Sequence, residues 1–349
     1  MRLLKRVFFA SWLIVFALAG TVHAQDGETG DISWHPDGTY IAVSHEAQVE
    51  IVNAATIEVV QSFPAAEHGL AYARWSPDGN RIAFFNEQVL EIWRVSDNPF
   101  AATLESITHP DSILLNAISW HPSDEFLAFG AGSYMNFSDS AGNRLDITFD
   151  ETVNLSLPRE PKWDSTGERL AIPRRDGEVE IWQLEDQQLT RLYHLYQDAY
   201  LDSHGYWENP TTRTVDWSPE DDAIAFGTKR DISIVLLRNL ASDQLYVDTS
   251  SDDSVEHFEV ATEDYNRVSV LTVDWHPTLN LIASGLQDGT VRIWYVETGE
   301  QIHIINLGEG VSVMSVAWSP DGTRLAYGLP TGSENLIEII ELADILQTP

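Results

Sequence analysis

The stretch "VMSVAWSPDGTRLAYG", residues 313–328, contains two short apolar runs separated by a tight polar turn. The first run ends at Trp318, Pro320 and Gly322 lie in the turn, and the second run begins at Leu325. Proline presets one turn dihedral angle and glycine permits a positive φ, so this order is typical of two strands joined by a tight reversal. The stretch therefore predicts part of a small antiparallel sheet.

The same phrase occurs seven times along the 349-residue chain. Its tryptophans are 41, 45, 43, 54, 58 and 43 residues apart. A period of about 40–45 residues indicates a repeat architecture, and the two long intervals indicate insertions at 197–212 and 249–266. We expect residues 25–349 to form one domain in which the repeat tryptophans are structural: Trp34, Trp75, Trp120, Trp163, Trp217, Trp275 and Trp318.

The sixth unit, residues 269–307, shows four strand-like runs separated by a Pro turn, a "QDG" turn and an "ETGE" turn. Short strands at this even spacing indicate an all-β assembly. Both faces of each sheet carry apolar residues, which radial stacking of the sheets would cover. The sequence thus predicts a seven-bladed β-propeller of four-stranded antiparallel blades. The last blade is expected to be incomplete, because only seven residues follow "NLIEIIEL", residues 335–342.

Several motifs of these units carry a family resemblance. They are "WHPDG" (34–38), "WSPDG" (75–79 and 318–322), "DGEVEIWQL" (176–184) and "DGTVRIWYVETGE" (288–300). On these motifs the chain resembles the WD40-repeat β-propellers over residues 30–343. The first two motifs also resemble TolB-type propellers, whereas the Ile-Trp strand favours WD40. The Trp-Asp pair of the family is absent, since Arg94, Gln183 or Tyr295 follows the tryptophan.

The resemblance implies a scaffold that binds a protein or peptide through one face. We expect no enzymatic activity and no cofactor or metal, because the sequence has no nucleophile elbow, HExxH, Walker loop or GxGxxG motif. One alternative is an enzyme or a receptor for a small anionic ligand at the channel mouth near blades four and five. Another is a structural component of a cell-envelope complex.

The net charge of −34 disfavours nucleic acid as a partner, because so acidic a surface repels phosphate backbones. The chain has no cysteine, which excludes disulfides and thiolate chemistry. We expect a monomer.

The N-terminal segment has the order of a secretory signal. Arg2, Lys5 and Arg6 precede a mostly apolar run at 7–20, and the small residues Val22 and Ala24 follow. We expect cleavage after Ala24, so that 1–24 is a signal peptide and the protein is secreted or located in the periplasm or cell envelope without membrane insertion. An uncleaved anchor is the alternative, although the run is short of the roughly 20 residues that a span needs.

Two features near blades four and five are candidate binding residues. The first is a basic cluster in neighbouring hairpins, which binds an anionic group or else pairs with nearby carboxylates such as Asp176 and Asp231; its members are Arg174, Arg175, Lys229 and Arg230. The second is the aromatic insertion, in which Tyr206 and Trp207 are the candidates for exposed anchors.

Three further patterns are predicted to have no binding role. The acidic stretch 249–266 is expected to be a solvated loop, with calcium as the alternative, because it has no EF-hand spacing. Histidine follows the repeat tryptophan in three units, which indicates scaffolding. Lys162 and Asp216 precede the tryptophans of adjacent units, which predicts an ion pair between blades.

Overall fold

Seven antiparallel sheets surround a central channel in the computed structural model of the chain. The innermost strands contact one another in cyclic order, and the last of them contacts the first. This arrangement confirms the predicted seven-bladed propeller. The structure describes residues 31–45, 48–64, 72–86, 89–97, 100–108, 115–150, 155, 159–174, 176–196, 200–201, 207–208, 212–228, 231–240, 246–250, 255–259, 268–330 and 333–347.

Blades one, two and six have the predicted four consecutive strands, ordered from the channel outward. Blade one comprises β1 (Asp31–Trp34), β2 (Tyr40–His45), β3 (Gln48–Asn53) and β4 (Val59–Pro64). Blade two comprises β5 (Ala73–Trp75), β6 (Arg81–Asn86), β7 (Val89–Asp97) and β8 (Phe100–Thr108). Blade six comprises β24 (Val270–Trp275), β25 (Leu281–Leu286), β26 (Thr290–Tyr295) and β27 (Glu300–Asn306).

Blade three has three strands among its described residues: β9 (Leu115–Trp120), β10 (Phe126–Ala131) and β11 (Tyr134–Asp139). The next strand, β12 (Thr148–Phe149), pairs in parallel with the outer strand of blade four instead. Blade four comprises β13 (Lys162–Trp163), β14 (Arg169–Pro173), β15 (Val179–Glu185) and β16 (Gln188–Tyr196).

Blade five differs from the prediction, because its outer strand, β23 (Val255–Glu259), lies inside the stretch 249–266 that is expected from the sequence to be a solvated loop. Before this blade, β17 (Tyr200–Leu201) and β18 (Trp207–Glu208) form a small antiparallel pair within insertion 197–212. The blade comprises β19 (Val215–Trp217), β20 (Ala223–Gly227), β21 (Asp231–Leu236) and β23 (Val255–Glu259). Between the last two strands lie a short 3-10 helix (Leu237–Asn239) and β22 (Tyr246–Asp248), which pairs in parallel with β16 of blade four.

Blade seven is incomplete, as the sequence predicts. In the described part of the chain it has β28 (Val316–Trp318), β29 (Arg324–Gly328) and β30 (Ile337–Glu341). Helix α1 (Leu342–Gln347) follows and buries Ile345 against the core between blades six and seven. Within the described residues, no helix combines the length and the apolar character needed to cross a bilayer.

The core lies between neighbouring blades. Trp75 of blade two packs with Ile51 and Phe63 of blade one, and Trp34 packs with Ile337 of blade seven, which closes the ring. All seven repeat tryptophans are buried. The indole Nε1–H of Trp34 also donates to the Ala317 carbonyl of blade seven at 2.9 Å.

The two ends of the ring are here called the turn face and the loop face. The turn face carries the turns between first and second strands, such as 319–323. The loop face carries the hairpins between second and third strands and the segments that enter each first strand. Tyr134 begins β11 at the loop face, and Tyr295 ends β26 at the turn face.

Histidine side chains join three pairs of blades at the turn face. The Nε2–H groups of His35, His121 and His276 donate to glycine carbonyls in the next blade at 3.1, 3.0 and 2.9 Å. These glycines have φ near +70°, and a Cβ on Gly322 would lie 2.4 Å from the His276 ring. The repeated histidine of the "WHP" motif therefore has a structural contact that explains it.

Arginine takes over this role in blades four and seven, where Asp164 and Ser319 replace the histidine. Arg169 Nη2 donates to the Asp221 carbonyl at 2.7 Å, and Arg324 Nη2 donates to the Gly38 carbonyl at 2.9 Å. The guanidinium of Arg324 also lies over the Trp34 ring, 4.8 Å from its centroid. Each joint thus crosses to the next blade through a residue of the repeat.

Candidate functional site in the central channel

The channel is lined by the residues that alternate with the core residues on each first strand. Because successive strand residues point to opposite sides, tryptophan enters the core and the preceding residue faces the axis. This ring of seven positions is uneven in charge: Ser33, Arg74, Ser119, Lys162, Asp216, Asp274 and Ala317. A second ring lies two residues earlier on each strand and includes Asp31, Tyr72, Glu160 and Thr214.

Arg74 of blade two forms the main ion-pair layer of the channel. Its Nη1 lies 2.6 Å from Asp31 Oδ2 of blade one, and its Nη2 lies 2.6 Å from Glu160 Oε1, at the entry of blade four. All three side chains are at least 85% buried. The two carboxylates raise the pKa of Arg74 above its ordinary value, against the effect of burial. Arg74 therefore holds three blades together across the channel.

On the turn-face side of this layer, Lys162 faces the carboxylates of Asp216 and Asp274. Its Nζ lies 3.7 Å from Glu160, and its side chain is 33% exposed. The predicted contact ion pair between Lys162 and Asp216 is not formed, although the charges of the two side chains act on each other. Asp216 Oδ2 accepts the backbone N–H of Trp275 at 2.7 Å. The next carboxylate repeats this bond, since Asp274 Oδ2 accepts the backbone N–H of Trp318 at 2.7 Å. Each aspartate thus accepts a backbone hydrogen bond from the following blade.

Asp274 binds its proton unusually tightly. Burial and the neighbouring Asp216 raise its pKa to about 8, although Lys162 opposes the shift. Burial raises the pKa of Asp216 as well. The part of the channel on the turn-face side of Arg74 therefore has an excess of negative charge, which a proton on Asp274 partly neutralises.

Cavities occupy both sides of the ion-pair layer. Two of them, of about 220 and 170 Å³, lie on the side of the turn face and share Trp34, Arg74, Glu160 and Lys162. A third, of about 30 Å³, lies at the loop-face mouth. Its lining includes Asp31 and Glu160, so the layer of ion pairs around Arg74 separates it from the two cavities on the turn-face side.

The loop-face mouth has a different set of charges. Arg159 and Arg213 line its cavity together with Tyr72 and Met314. Arg213 is partly buried, and its Nη1 lies 3.8 Å from the Met314 sulfur. In the part of the chain that the structure describes, it forms no ion pair with a carboxylate within 4.0 Å. Burial raises the pKa of Tyr72, so its hydroxyl stays a hydrogen-bond donor at neutral pH.

The predicted basic cluster is described only at Arg174. Its guanidinium pairs with Asp176, Glu178 and Glu180 at 2.7, 3.0 and 2.6 Å. Four other predicted binding residues lie outside the described part of the chain: Arg175, Tyr206, Lys229 and Arg230. For Trp207 the structure describes only the backbone.

The outer part of blade four contains a group of possible metal ligands, Glu178, Glu180 and His194. Arg174 Nη1 contacts both carboxylates, and Arg191 lies 3.5 Å from Glu180. These two cations already balance the charge that would attract a metal ion. The group is therefore accounted for as an ion-pair network on blade four.

Sequence reasoning missed most of the channel. It singled out the position before each tryptophan, which contains Arg74, but not the position two residues earlier, where Asp31 and Glu160 lie. The alternation of strand residues could have found that ring, because both positions face the same side. Arg159 and Arg213 precede it in segments that have no repeat signature, so nothing in the pattern marked them.

The family model that matches the chain is the WD40 domain of anaphase-promoting complex subunit 4, over residues 4–78 and 215–315. Protein HIR1 of Cryptococcus neoformans is 27% identical over 195 residues, covering 49% of this chain and 22% of that protein. A guanine nucleotide-binding protein subunit beta-like protein of Encephalitozoon cuniculi is 29% identical over 167 residues, covering 47% of this chain and 46% of its own length.

Shorter matches extend to eukaryotic translation initiation factor 3 subunit I of Aspergillus fumigatus, 42% identical over 57 residues and 16% of each chain. These matches span less than half the length of each of these relatives. The family model matches half of the chain, in segments that include the repeats of blades one, five and six. By this match and by its seven-bladed ring, the chain belongs to the WD40-repeat family.

Proposed function

We propose that the protein is an exported, non-catalytic scaffold that binds another protein or peptide through its loop face. One observation carries the choice of face. On the turn face, equivalent positions of successive repeats are used for bonds between blades, as His276 to Gly322 illustrates. The loop face instead presents groups that do not repeat, such as Tyr134, which is 62% exposed.

Relatives from the WD40 family support an interaction scaffold, because two of those reported above are named as a subunit or a subunit-like protein. The contacts of the channel support a role without chemistry. Arg74 is held by two carboxylates, and Asp216 and Asp274 accept backbone N–H groups. Stability alone accounts for these charged residues.

The proposal of export depends on the N-terminal segment, which lies outside the described residues. Its basic, apolar and small-residue order is that of a cleaved signal. Expression of the full-length chain followed by N-terminal sequencing of the exported protein tests this part. We expect the exported chain to begin at Gln25. A chain retained in the cytoplasm, or one that keeps Met1, would contradict it.

Tyr134 and Tyr295 provide a matched pair for testing the face. They are exposed tyrosines at opposite ends of the ring, 62% and 42% exposed. Immobilised wild-type protein, Tyr134→Ala and Tyr295→Ala would be compared in capture from culture supernatant and envelope fractions. We expect Tyr134→Ala to lose about tenfold or more of the captured partner, as for a central aromatic anchor, and Tyr295→Ala to retain it.

Equal capture by both variants would contradict the loop face as the binding surface. Capture lost only in Tyr295→Ala would move the surface to the turn face. If no protein is retained by the wild type, while a screen of anionic metabolites shifts its melting temperature, the small-ligand alternative replaces the proposal.

A further inference from the structure

Arg213 lies at the loop-face mouth of the channel, and its surroundings differ from those of several other described arginines that pair closely with carboxylates. Arg74, Arg169 and Arg292 each have a carboxylate within 2.8 Å. The guanidinium of Arg213 contacts the Met314 sulfur at 3.8 Å and, among the described residues, no carboxylate. A partly buried guanidinium loses hydration and usually recovers it through an anion. Arg213 therefore has unused capacity for an anionic partner.

The surroundings of Arg213 add to this capacity. Arg159 lines the same cavity and brings a second positive charge, and the Tyr72 hydroxyl lies there as a neutral donor. The Thr214 hydroxyl accepts the backbone N–H of Val273 at 3.0 Å, which leaves its hydrogen to donate. These groups all converge on the one small cavity.

The acidic groups beneath the cavity are already neutralised in part. Asp31 and Glu160 both pair with Arg74 at 2.6 Å. Arg159 and Arg213 line the same mouth, so cations face the cavity beside these paired carboxylates, although the whole chain carries −34. Such a local concentration of cations attracts an anion.

The size of the cavity limits what enters it. A volume of about 30 Å³ accommodates about two water-sized atoms, which matches the two oxygens of a carboxylate. The remainder of such a ligand has to lie outside, across the loop face. We propose that this mouth binds a single carboxylate of an extended peptide, with Arg213 as its principal donor and Tyr72 and Thr214 as neutral donors. This inference rests on the proposed function, because it names the group that the loop face recognises.

Three synthetic peptides distinguish the sources of the carboxylate. The first is acetyl-Ala-Ala-Ala-Ala with a free C-terminus, the second is its C-terminal amide, and the third is the amide of acetyl-Ala-Ala-Glu-Ala. Inorganic phosphate serves as a fourth probe. Each is titrated into the full-length protein and followed by the Arg Nε–H resonances in an NMR spectrum. Variants Arg213→Met and Tyr72→Phe are compared with Arg94→Met, which changes an exposed arginine away from the channel.

We expect one or both carboxylate peptides to bind at least tenfold more tightly than the plain amide. Arg213→Met should weaken that binding tenfold or more, Tyr72→Phe by about threefold, and Arg94→Met not at all. Binding that Arg213→Met leaves unchanged would overturn the inference, as would tighter binding of phosphate than of either carboxylate. If all four probes fail while Tyr134→Ala still abolishes partner capture, the carboxylate site is refuted and the loop-face scaffold stands.

Discussion

Two arginines of the central channel, Arg74 and Arg213, differ in what surrounds them. Arg74 has carboxylates from two other blades at 2.6 Å, both supplied by positions that face the axis. Arg213, nearer the loop face, has a methionine sulfur at 3.8 Å as its contact. Both side chains are at least partly withdrawn from water, so the difference lies in their partners and not in their exposure.

This difference separates what holds the ring from what is available to a ligand. A buried ion pair whose partner is removed is destabilising, because an uncompensated charge is left behind. Removing a guanidinium that pairs with no carboxylate among the described residues leaves no charge uncompensated, so it should change the free energy of unfolding little. The same separation holds between the turn face, where repeated residues bond to the next blade, and the loop face, where the notable residues occur once.

A large effect is expected at Glu160, which contacts Arg74 and Lys162. Glu160→Ala is expected to lower the free energy of unfolding by about 3 kcal/mol, because two cations lose a buried partner while Asp31 still holds Arg74. Urea unfolding measures it, with Glu309→Ala in an exposed loop as the control. A loss below about 1 kcal/mol, the range of surface ion pairs, would contradict the claim that the buried ion pairs around Arg74 stabilise the fold.

The turn-face joint is tested by two glycines that both have positive φ. Gly322 has φ +71° and faces the His276 ring, whereas Gly310 has φ +80° and no atom within 4 Å of the position of a Cβ. Alanine strains the backbone at both sites, so their difference isolates the clash with histidine. We expect Gly322→Ala to be less stable than Gly310→Ala by about 2 kcal/mol. Equal losses in thermal unfolding would show that the joint contributes nothing.

A smaller, pH-dependent effect is expected at Asp274. Its pKa is raised to about 8 in the folded state, so between about pH 4 and 8 the folded protein holds a proton that the unfolded chain releases. Its contribution to stability therefore falls as the pH rises through this window. Asp274→Asn can keep the hydrogen bond from Trp318 without the charge.

Melting temperatures of the wild type and Asp274→Asn at pH 5 and pH 9 test this sign. The two proteins should be similar at pH 5, and the variant should be more stable at pH 9 by about 1–2 kcal/mol. That figure is less than the full shift implies, because Asp274 is only partly buried. A wild type that gains stability from pH 5 to pH 9 relative to the variant would contradict the raised pKa.

The sequence predicted the ring because its main determinants repeat. Trp318, Pro320 and Gly322 recur with their spacing in other units, and each position has a local physical reason, so the blades and the incomplete blade seven were predicted. The pairing of Thr148–Phe149 with blade four was not predicted. It depends on the outer edge of strand β16, with which this segment pairs in parallel.

The site was less predictable than the fold. For Arg174 the sequence left two alternatives, an anion ligand or pairing with nearby carboxylates such as Asp176, and the structure shows the pairing. Arg213 follows the insertion 197–212 in a segment without any motif, and only the closed ring places it beside Arg159 and Tyr72. Arg174 finds its carboxylates at short spacing in its own blade. Arg74 finds its carboxylates in other blades, and no fixed spacing in the sequence encodes those contacts.

The central claim, that Arg74 stabilises the fold and Arg213 serves recognition, is tested most directly by making the same substitution at both. Methionine has a similar reach and no charge. The free energies of unfolding of Arg74→Met and Arg213→Met would be measured in urea beside the wild type. The expected losses are about 3–5 kcal/mol for Arg74→Met and less than about 0.5 kcal/mol for Arg213→Met. Equal losses at the two positions would contradict the claim.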